Sequence, residues 1–214
     1  MKRVLLSNQE TEGGATAIRF LVESLSLKDI SAAFIASQPD MERYFFNKAR
    51  DVYQSIGVNL DTYIDFEDGF DETLMDRVFS KPIVHLSGGN TYRFLHSLKS
   101  RSLGKKMIEF AQSDGVFIGV SAGAMLLTPT IESATLCGDV NHIGLGDFSS
   151  LGLVSFMFAP HATKQQAELQ RAHKLVAQRG HDIYLCNDEE GIIVLNNQVY
   201  LFGEPILLRA NSNA

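Results

Sequence analysis

The segment at residues 115–125 constrains the fold of this chain more than any other part of the sequence. Its sequence is GVFIGVSAGAM, a short apolar run that ends in the pattern G-x-S-x-G at residues 119–123. The apolar run predicts a buried strand, and the small residues after it predict the start of a helix. A strand, a sharp glycine-flanked turn and a helix form a nucleophile elbow, which leaves room for a substrate beside the serine. Ser121 is therefore the candidate nucleophile of a serine hydrolase.

Strand-like and helix-like segments alternate regularly over the first two thirds of the chain. Strands are predicted at 4–7, 32–36, 58–66, 82–86 and in the elbow, and helices at 15–25, 41–56, 71–79, 91–98 and 105–112. This alternation predicts an α/β fold with a mostly parallel, doubly wound sheet and helices on both faces. Later in the chain, short strands are predicted at 130–136, 154–158, 183–186, 192–195, 199–202 and 206–208, with a helix at 163–178. A chain of 214 residues without a repeat or linker is expected to form a single domain, 1–214.

Composition excludes several classes of protein. The net charge is −6 and the 19 Lys and Arg residues are scattered, so nucleic acid is not an expected partner. The apolar run at residues 4–6 is too short for a signal peptide and no stretch approaches transmembrane length, so a membrane partner is not expected either. Cys137 and Cys186 form neither a metal-binding spacing nor a disulfide framework. The expectation is a cytoplasmic protein without a metal or cofactor; a homodimer is an open alternative.

Chemistry in open α/β sheets collects at the carboxyl ends of the strands. Ser121, the Gly88-Gly89 pair and His161 each follow a predicted strand directly, so three strand ends can meet at one crevice. The N–H of Ala122, just after the candidate nucleophile, and the Gly88-Gly89 turn can donate to the oxyanion of a tetrahedral intermediate.

A serine hydroxyl needs a base within hydrogen-bond reach to take its proton. Of the six histidines, His161 is best placed, because it follows the apolar segment FMFAP at a predicted strand end. His142, in a Gly-rich loop, is a second candidate. His85 lies inside an apolar strand and is predicted to be a core residue.

A third group should orient the imidazole and stabilise its charged form. Asp188, Glu189 and Glu190 follow a predicted strand as three adjacent carboxylates, although such a cluster is often only a solvated surface. Asp139 and Asp147 are loop alternatives.

Taken together, the motifs resemble the peptidase E and cyanophycinase family of serine peptidases, which has a class I glutamine-amidotransferase-like α/β fold. The matching segments are LSGGNTYRFL at 86–95, GVSAGAM at 119–125, the Pro-Thr pair at 129–130, APH at 159–161 and EEG at 189–191. The resemblance implies roles at these positions. Ser121 would be the nucleophile, His161 the general base and Glu190 the third member of the triad. Gly89 and Ala122 would form the oxyanion hole, and Asn90 would lie at the rim of the site.

The chain also departs from the family pattern. Relatives have an aspartate shortly after the Pro-Thr pair, and this chain has Leu136 close to that place. The third member of the triad is therefore expected to be Glu190. Relatives that cleave after an N-terminal aspartate carry an insertion with a basic residue after the catalytic histidine. Here His161 runs almost directly into a helix, with Lys164 and Arg171 nearby, so strict aspartyl specificity is not expected.

The sequence therefore predicts a serine exopeptidase or dipeptidase that acts on short peptides. An amidase or esterase on the same scaffold, and a catalytically silent protein that binds a small molecule, remain the alternatives.

Overall fold

A computed structural model describes residues 2–25, 30–68 and 70–210 as two β-sheets with helices packed around the larger one. The strands are β1 Lys2–Leu6, β2 Ser31–Ala36, β3 Asn59–Asp65, β4 Ile83–Leu86, β5 Val116–Val120, β6 Met157–Ala159, β7 Ile183–Leu185, β8 Gly191–Leu195, β9 Gln198–Phe202 and β10 Ile206–Leu208. The helices are α1 Glu12–Ser24, α2 Tyr44–Ser55, α3 Glu72–Phe79, α4 Thr91–Ser100, α5 Gly104–Gln112, α6 Ala122–Leu126 and α7 Gln166–Arg179.

The larger sheet has seven strands in the order β3-β2-β4-β5-β1-β8-β9. The first five in this order are parallel, whereas β8 runs antiparallel to β1 and β9 runs antiparallel to β8. The smaller sheet has the order β10-β7-β6. The predicted α/β fold with a mostly parallel sheet is confirmed.

Both faces of the larger sheet are covered, which explains why its central strands are continuous apolar runs. Helices α1 and α2 pack on one face through buried side chains such as Ile18, Leu21 and Tyr53. Helices α3 to α6 pack on the opposite face through side chains such as Met75 and Phe94. The core therefore lies in two layers, one on each side of the sheet.

The strand register places three side chains side by side on the face that α1 and α2 cover. Phe34 of β2 is paired with His85 of β4, and His85 is paired with Ile118 of β5. Because side chains two residues apart share a face, Ala36 and Val120 continue these rows toward the carboxyl ends of the strands. An apolar strip thus leads from the core to the edge where Ser121 lies.

The predicted strand at 130–136 is wrong. Residues Glu132–Thr135 form a 3₁₀ helix, and Thr130 makes only an isolated β-bridge with Ser149. Local bonds stabilise the turn: the Thr135 hydroxyl donates to the Glu132 carbonyl at 2.8 Å. Short-range side-chain bonds of this kind compete with strand pairing, and the apolar–polar alternation does not reveal them.

In the described part of the chain, no helix is both long enough and apolar enough to cross a bilayer.

Candidate active site

Ser121 lies on a sharp turn between β5 and α6. Its backbone has φ 50° and ψ −110°, a conformation that residues other than glycine rarely adopt. Its N–H donates to the Leu6 carbonyl at 2.8 Å, which ties the turn to β1. A Cβ atom at Gly119 would lie 2.6 Å from the Gly123 carbonyl oxygen, and one at Gly123 would lie 2.2 Å from the Leu86 carbonyl oxygen. Both glycines are therefore required by the close packing of the elbow.

His161 reaches Ser121 from the end of β6. Its Nε2 lies 3.0 Å from the Ser121 Oγ. Its backbone also has positive φ, 56°, and its N–H donates to the Ser7 Oγ at 3.2 Å. The Ser7 hydroxyl in turn donates to the Cys186 carbonyl at 3.0 Å. Ser7, which follows β1, thus fixes the backbone that carries the histidine. Its place at the end of a strand is the signal in the sequence that could have identified it.

Asp188 is the carboxylate that contacts His161. Its Oδ1 lies 2.5 Å from the His161 Nδ1. A carboxylate at Nδ1 favours the tautomer with a proton on that nitrogen, which leaves Nε2 free to accept the serine proton. The two side chains are 44% and 54% exposed, so this pair faces solvent at the mouth of the site.

The expected contact between Glu190 and His161 is absent, and this expectation is corrected. Glu190 is 4% exposed and is surrounded by other donors. Its Oε1 accepts from the Lys164 Nζ at 2.5 Å and the Glu204 N–H at 3.2 Å, and its Oε2 accepts from the Asn187 N–H at 2.8 Å. Glu190 thus braces the β7–β8 loop, and its neighbour Asp188 faces the histidine.

The other sequence candidates for the base and the acid lie elsewhere. His142 is exposed in the loop after the 3₁₀ helix. Asp139 accepts from the Thr91 N–H and hydroxyl at the start of α4. Asp147 accepts from the Lys99 Nζ at 2.6 Å, and this bond, with those from Ser149, holds the pKa of Asp147 well below its usual range. These residues shape loops and do not contact Ser121.

The Gly88-Gly89 peptide is held in a fixed orientation beside Ser121. The Gly88 carbonyl accepts from the Ser37 hydroxyl at 2.6 Å and from the Ser87 hydroxyl at 2.9 Å. In a planar trans peptide the carbonyl and the following N–H point in opposite directions, so the Gly89 N–H faces away from these hydroxyls. A Cβ atom at Gly89, where φ is 136°, would lie 2.1 Å from the Ser37 Oγ, so glycine is required there.

Two backbone N–H groups near Ser121 are free to bind a ligand. Within the residues that the structure describes, neither the Gly89 nor the Ala122 N–H has an acceptor. Ala122 is the first residue of α6, where helix N–H groups lack intrahelical partners. Both predicted oxyanion donors are therefore near the candidate nucleophile. Ser37 holds the peptide that carries the Gly89 N–H. It was not predicted from the sequence, although it directly follows β2 and residues at the carboxyl ends of parallel strands are candidates for the site.

Asn90 caps α4 and does not line the cavity beside Ser121. Its Oδ1 accepts from the Arg93 N–H at 3.0 Å, and its Nδ2 donates to the Val140 carbonyl at 3.1 Å. Asn90, which directly follows the Gly88-Gly89 peptide, therefore connects the start of α4 to the loop at residues 139–140.

A cavity of about 350 Å³ opens beside Ser121 on the α1–α2 face of the sheet. Apolar side chains form much of its wall, and its charged lining includes the carboxylates of Glu10 and Asp40 but no Lys or Arg. The described residues that line it are Ser7, Asn8, Gln9, Glu10, Phe34, Ala36, Ser37, Gln38, Pro39, Asp40, Phe45, His85, Ser87, Gly88, Gly89, Val120, Ser121 and His161. The charge lining the cavity is therefore more negative than positive.

His85 lines this cavity as well as the core. It is 1% exposed, and its ring stacks on Phe34 with centroids 4.8 Å apart. The Tyr53 hydroxyl lies 3.1 Å from its Nδ1. Burial lowers the pKa of His85 to about 3, so the imidazole is neutral near pH 7. The prediction that His85 is a core residue is confirmed by its burial. The sequence did not indicate that His85 also lines the cavity.

Residues 2–25, 30–68 and 70–210 contain no group of three or more His, Cys, Asp or Glu side chains that could hold a metal ion. Both cysteines are free, and burial raises the pKa of the Cys137 thiol to about 12. Neither cysteine contacts Ser121 or lines its cavity.

Residues 4–202, nearly the whole chain, match Peptidase family S51. The chain belongs to peptidase family S51. It is therefore a serine-type peptidase, and the predicted resemblance to peptidase E is confirmed.

Relatives and solved structures agree with this assignment. This S51 peptidase is 25% identical over 210 residues to a peptidase E of Nostoc sp., with 95% of this chain and 79% of that protein covered. It is 27% identical over 147 residues to an uncharacterized peptidase of Pasteurella multocida, with 67% and 70% covered. A crystal structure of a candidate peptidase E from Listeria monocytogenes EGD-e has the same fold, with a TM-score of 0.75, 21% identity and 94% and 96% of the two chains covered. A peptidase from an acI-B1 actinobacterium matches with a TM-score of 0.68, 14% identity and 99% and 95% covered.

Proposed function

We propose that this S51 peptidase is an exopeptidase or dipeptidase on short peptides, with Ser121 as nucleophile, His161 as general base and Asp188 as the residue that orients the base. The observation that carries the proposal is the continuous hydrogen-bonded chain from Ser121 Oγ to His161 Nε2, 3.0 Å, and from His161 Nδ1 to Asp188 Oδ1, 2.5 Å. A base in contact with the nucleophile, itself held by a carboxylate, is the arrangement that activates a serine.

In the proposed mechanism, the Ser121 Oγ attacks the scissile carbonyl while its proton passes to the His161 Nε2. The carbonyl oxygen becomes an oxyanion and accepts from the N–H groups of Gly89 and Ala122. The imidazolium, stabilised by Asp188, then gives the proton to the leaving amine, and the acyl-enzyme forms as the C–N bond breaks. Water, deprotonated by His161, hydrolyses the ester and restores the serine hydroxyl.

The size of the cavity supports a short substrate. At about 350 Å³ it lies near the lower end of the range for small-molecule sites, roughly 300–1,000 Å³. Residues 8–10 and 38–40 line it together with the strand ends, so it is bounded on more than one side. A dipeptide suits such a space better than an extended chain does.

The charges around the cavity argue against a requirement for an acidic substrate. Lys164 does not line the cavity, because its Nζ donates to Glu190 and to the Glu204 carbonyl. Arg171 is exposed on α7 and does not line it either. Of the two lining carboxylates, Glu10 is paired with Lys48 at 3.3 Å, and no Lys or Arg lines the cavity to bind an aspartate side chain. An aspartate side chain would therefore find no cationic partner in the lining and would be repelled by the carboxylate of Asp40.

The proposal is tested with a fluorophosphonate probe and a peptide library. We expect the probe to label wild type and a Ser113→Ala control, whose serine is exposed outside the cavity, and not to label Ser121→Ala. In the library we expect cleavage of di- and tripeptides with free termini, and a loss on the order of 10³-fold or more in Ser121→Ala.

Other results would point to the rival functions. Labelling with hydrolysis of simple amides or esters, but of no peptide, would show an amidase or esterase. Binding of a peptide or other small molecule to the cavity, with neither labelling nor hydrolysis, would show a catalytically silent binding protein.

A further inference from the structure

The buried His85 lines the cavity beside Ser121, and the proposed mechanism does not use it. It is 1% exposed, and its Nδ1 lies 3.1 Å from the hydroxyl of Tyr53, which is itself fully buried. Among the described residues, the Tyr53 hydroxyl has no other partner and the His85 Nε2 has none. Because Nδ1 is directed at Tyr53, Nε2 is the ring nitrogen left for the cavity that His85 lines.

The Tyr53 contact determines which nitrogen of His85 carries the proton. A phenol hydrogen that donates to Nδ1 requires the tautomer protonated at Nε2. In the opposite tautomer Nδ1 would donate to the phenol oxygen, and the phenol hydrogen would be buried without an acceptor, which is costly. The satisfied arrangement is therefore Tyr53 donating to Nδ1, with an Nε2–H that faces the cavity.

This N–H selects for a neutral acceptor. Burial lowers the pKa of His85 to about 3, so the ring carries no charge with which to bind a carboxylate. The nearby lining carboxylates of Glu10 and Asp40, of which Glu10 is paired with Lys48 at 3.3 Å, disfavour an anion further. Phe34, whose ring stacks on His85, adds apolar lining to the same cavity, as do Ala36 and Phe45.

The sheet order indicates which part of a substrate would enter this space. His161, which must protonate the leaving amine, is held by Ser7 at the end of β1, on one side of β5. His85 and Phe34 lie on β4 and β2, on the other side of β5, as does Gly89. Since the leaving amine lies toward His161, we infer that the rest of the residue whose carbonyl is attacked, including its side chain, extends toward the opposite side of β5, where His85 lies.

We propose that His85 is a specificity-determining residue whose Nε2–H donates to a neutral acceptor at the end of the acyl-residue side chain, as in the side-chain amide of glutamine or asparagine. This inference rests on the proposed function and names the substrate class for the same site. Tyr53 acts as a positioning residue through the tautomer of His85.

The test compares kcat/KM for two dipeptides that differ only in glutamine or methionine at the acyl residue. We expect wild type to prefer glutamine on the order of 10-fold or more, since a buried donor left unpaired penalises methionine. His85→Phe keeps an aromatic ring against Phe34 and removes the donor, so the ratio should shift toward methionine on the order of 10-fold. Tyr53→Phe should reduce the preference partly, and His96→Phe, at an exposed position of α4, should leave it unchanged.

A second measurement tests the tautomer of His85 directly and needs neither turnover nor a variant. The ¹⁵N shifts of the His85 imidazole in the free wild-type protein should show the proton at Nε2. A proton at Nδ1 would overturn the inference, as would an equal substrate ratio in wild type and His85→Phe with normal kcat. These results leave the proposed peptidase function intact, whereas failure of labelling and of all hydrolysis would overturn that function. If the protein proves inactive, the role of His85 is still testable by binding to the Ser121→Ala variant. Tighter binding of the glutamine dipeptide than of the methionine dipeptide would support the proposed role of His85, and equal binding would contradict it.

Discussion

Replacement of Asp188 by asparagine tests the most specific feature of the site. The substitution keeps the size of the side chain but removes the charge that lies 2.5 Å from the His161 Nδ1. An asparagine can also present its amide nitrogen to Nδ1, which would favour the tautomer whose Nε2 cannot accept the serine proton. We expect kcat to fall while KM changes little, because the carboxylate acts on the charged imidazole that forms during the reaction.

The structure sets the size of the expected loss. A hydrogen bond to a charged group contributes roughly 1.5–3 kcal/mol, and 1.36 kcal/mol corresponds to tenfold in rate, so loss of the full bond would cost about 10- to 150-fold. His161 and Asp188 are 44% and 54% exposed, and solvent screens the pair. The expected decrease in kcat therefore lies in the lower part of that range, about 10- to 50-fold.

The assay measures kcat, KM and thermal stability for amide variants of the three adjacent carboxylates. Glu189→Gln is the matched control, because its Oε2 only accepts from the Gly13 N–H at 3.1 Å, as a glutamine oxygen also can. Glu190→Gln should reduce stability by roughly 1–3 kcal/mol, since the Lys164 ammonium loses its buried partner, with a much smaller change in kcat than Asp188→Asn.

The opposite pattern would refute the reasoning. If Glu190→Gln lost kcat at unchanged melting temperature while Asp188→Asn matched wild type, Asp188 would not orient the base. If all three variants kept full activity, no carboxylate of this loop would act on His161.

Four further outcomes are expected. His161→Ala should lower kcat about as far as Ser121→Ala, with the double variant no worse, because the two act as a unit; additive losses would contradict this. Ser37→Ala removes one of two hydroxyls on the Gly88 carbonyl and should lower kcat about 2- to 10-fold with little change in KM; unchanged kcat would show that Ser87 suffices. Activity should survive EDTA; loss with recovery on added zinc or manganese would indicate metal dependence. As the pH drops from about 6.5 toward about 3, the stability of wild type should decrease relative to that of His85→Phe by up to about 1.4 kcal/mol per pH unit, because the histidine binds a proton in the unfolded chain but not when buried; parallel curves of stability against pH would contradict the burial argument.

Residues that follow a buried strand directly were predictable from the sequence. Ser121 and the Gly88-Gly89 pair come at the end of apolar parallel strands, and the carboxyl ends of such strands share one edge of the sheet. His161 follows a strand of the smaller sheet, and its contact with Ser121 was expected from the same rule. These positions need only the strand pattern and the chain order.

The choice between Asp188 and Glu190 was not predictable in the same way. The two carboxylates are two residues apart in a short loop, and the direction of each depends on local backbone bonds such as that from the Asn187 N–H to Glu190. Nothing in the residue types of the loop encodes those directions. The 3₁₀ helix at Glu132–Thr135 was not predicted for a similar reason, because the hydrogen bonds that stabilise it are local and leave no periodic pattern in the sequence.

The hydrogen-bonded chain proposed for catalysis crosses a boundary between two separately hydrogen-bonded sheets. Ser121 follows β5 of the seven-stranded sheet, whereas His161 and Asp188 follow β6 and β7 of the three-stranded sheet. Ser7 spans the boundary, since its Oγ accepts from the His161 N–H and donates to the Cys186 carbonyl. A small slide of one sheet against the other would lengthen the 3.0 Å bond between base and nucleophile while each sheet kept its own ladder intact. In the proposed mechanism, turnover therefore depends on the alignment of the two sheets, and activity would be lost on such a slide even with all secondary structure preserved.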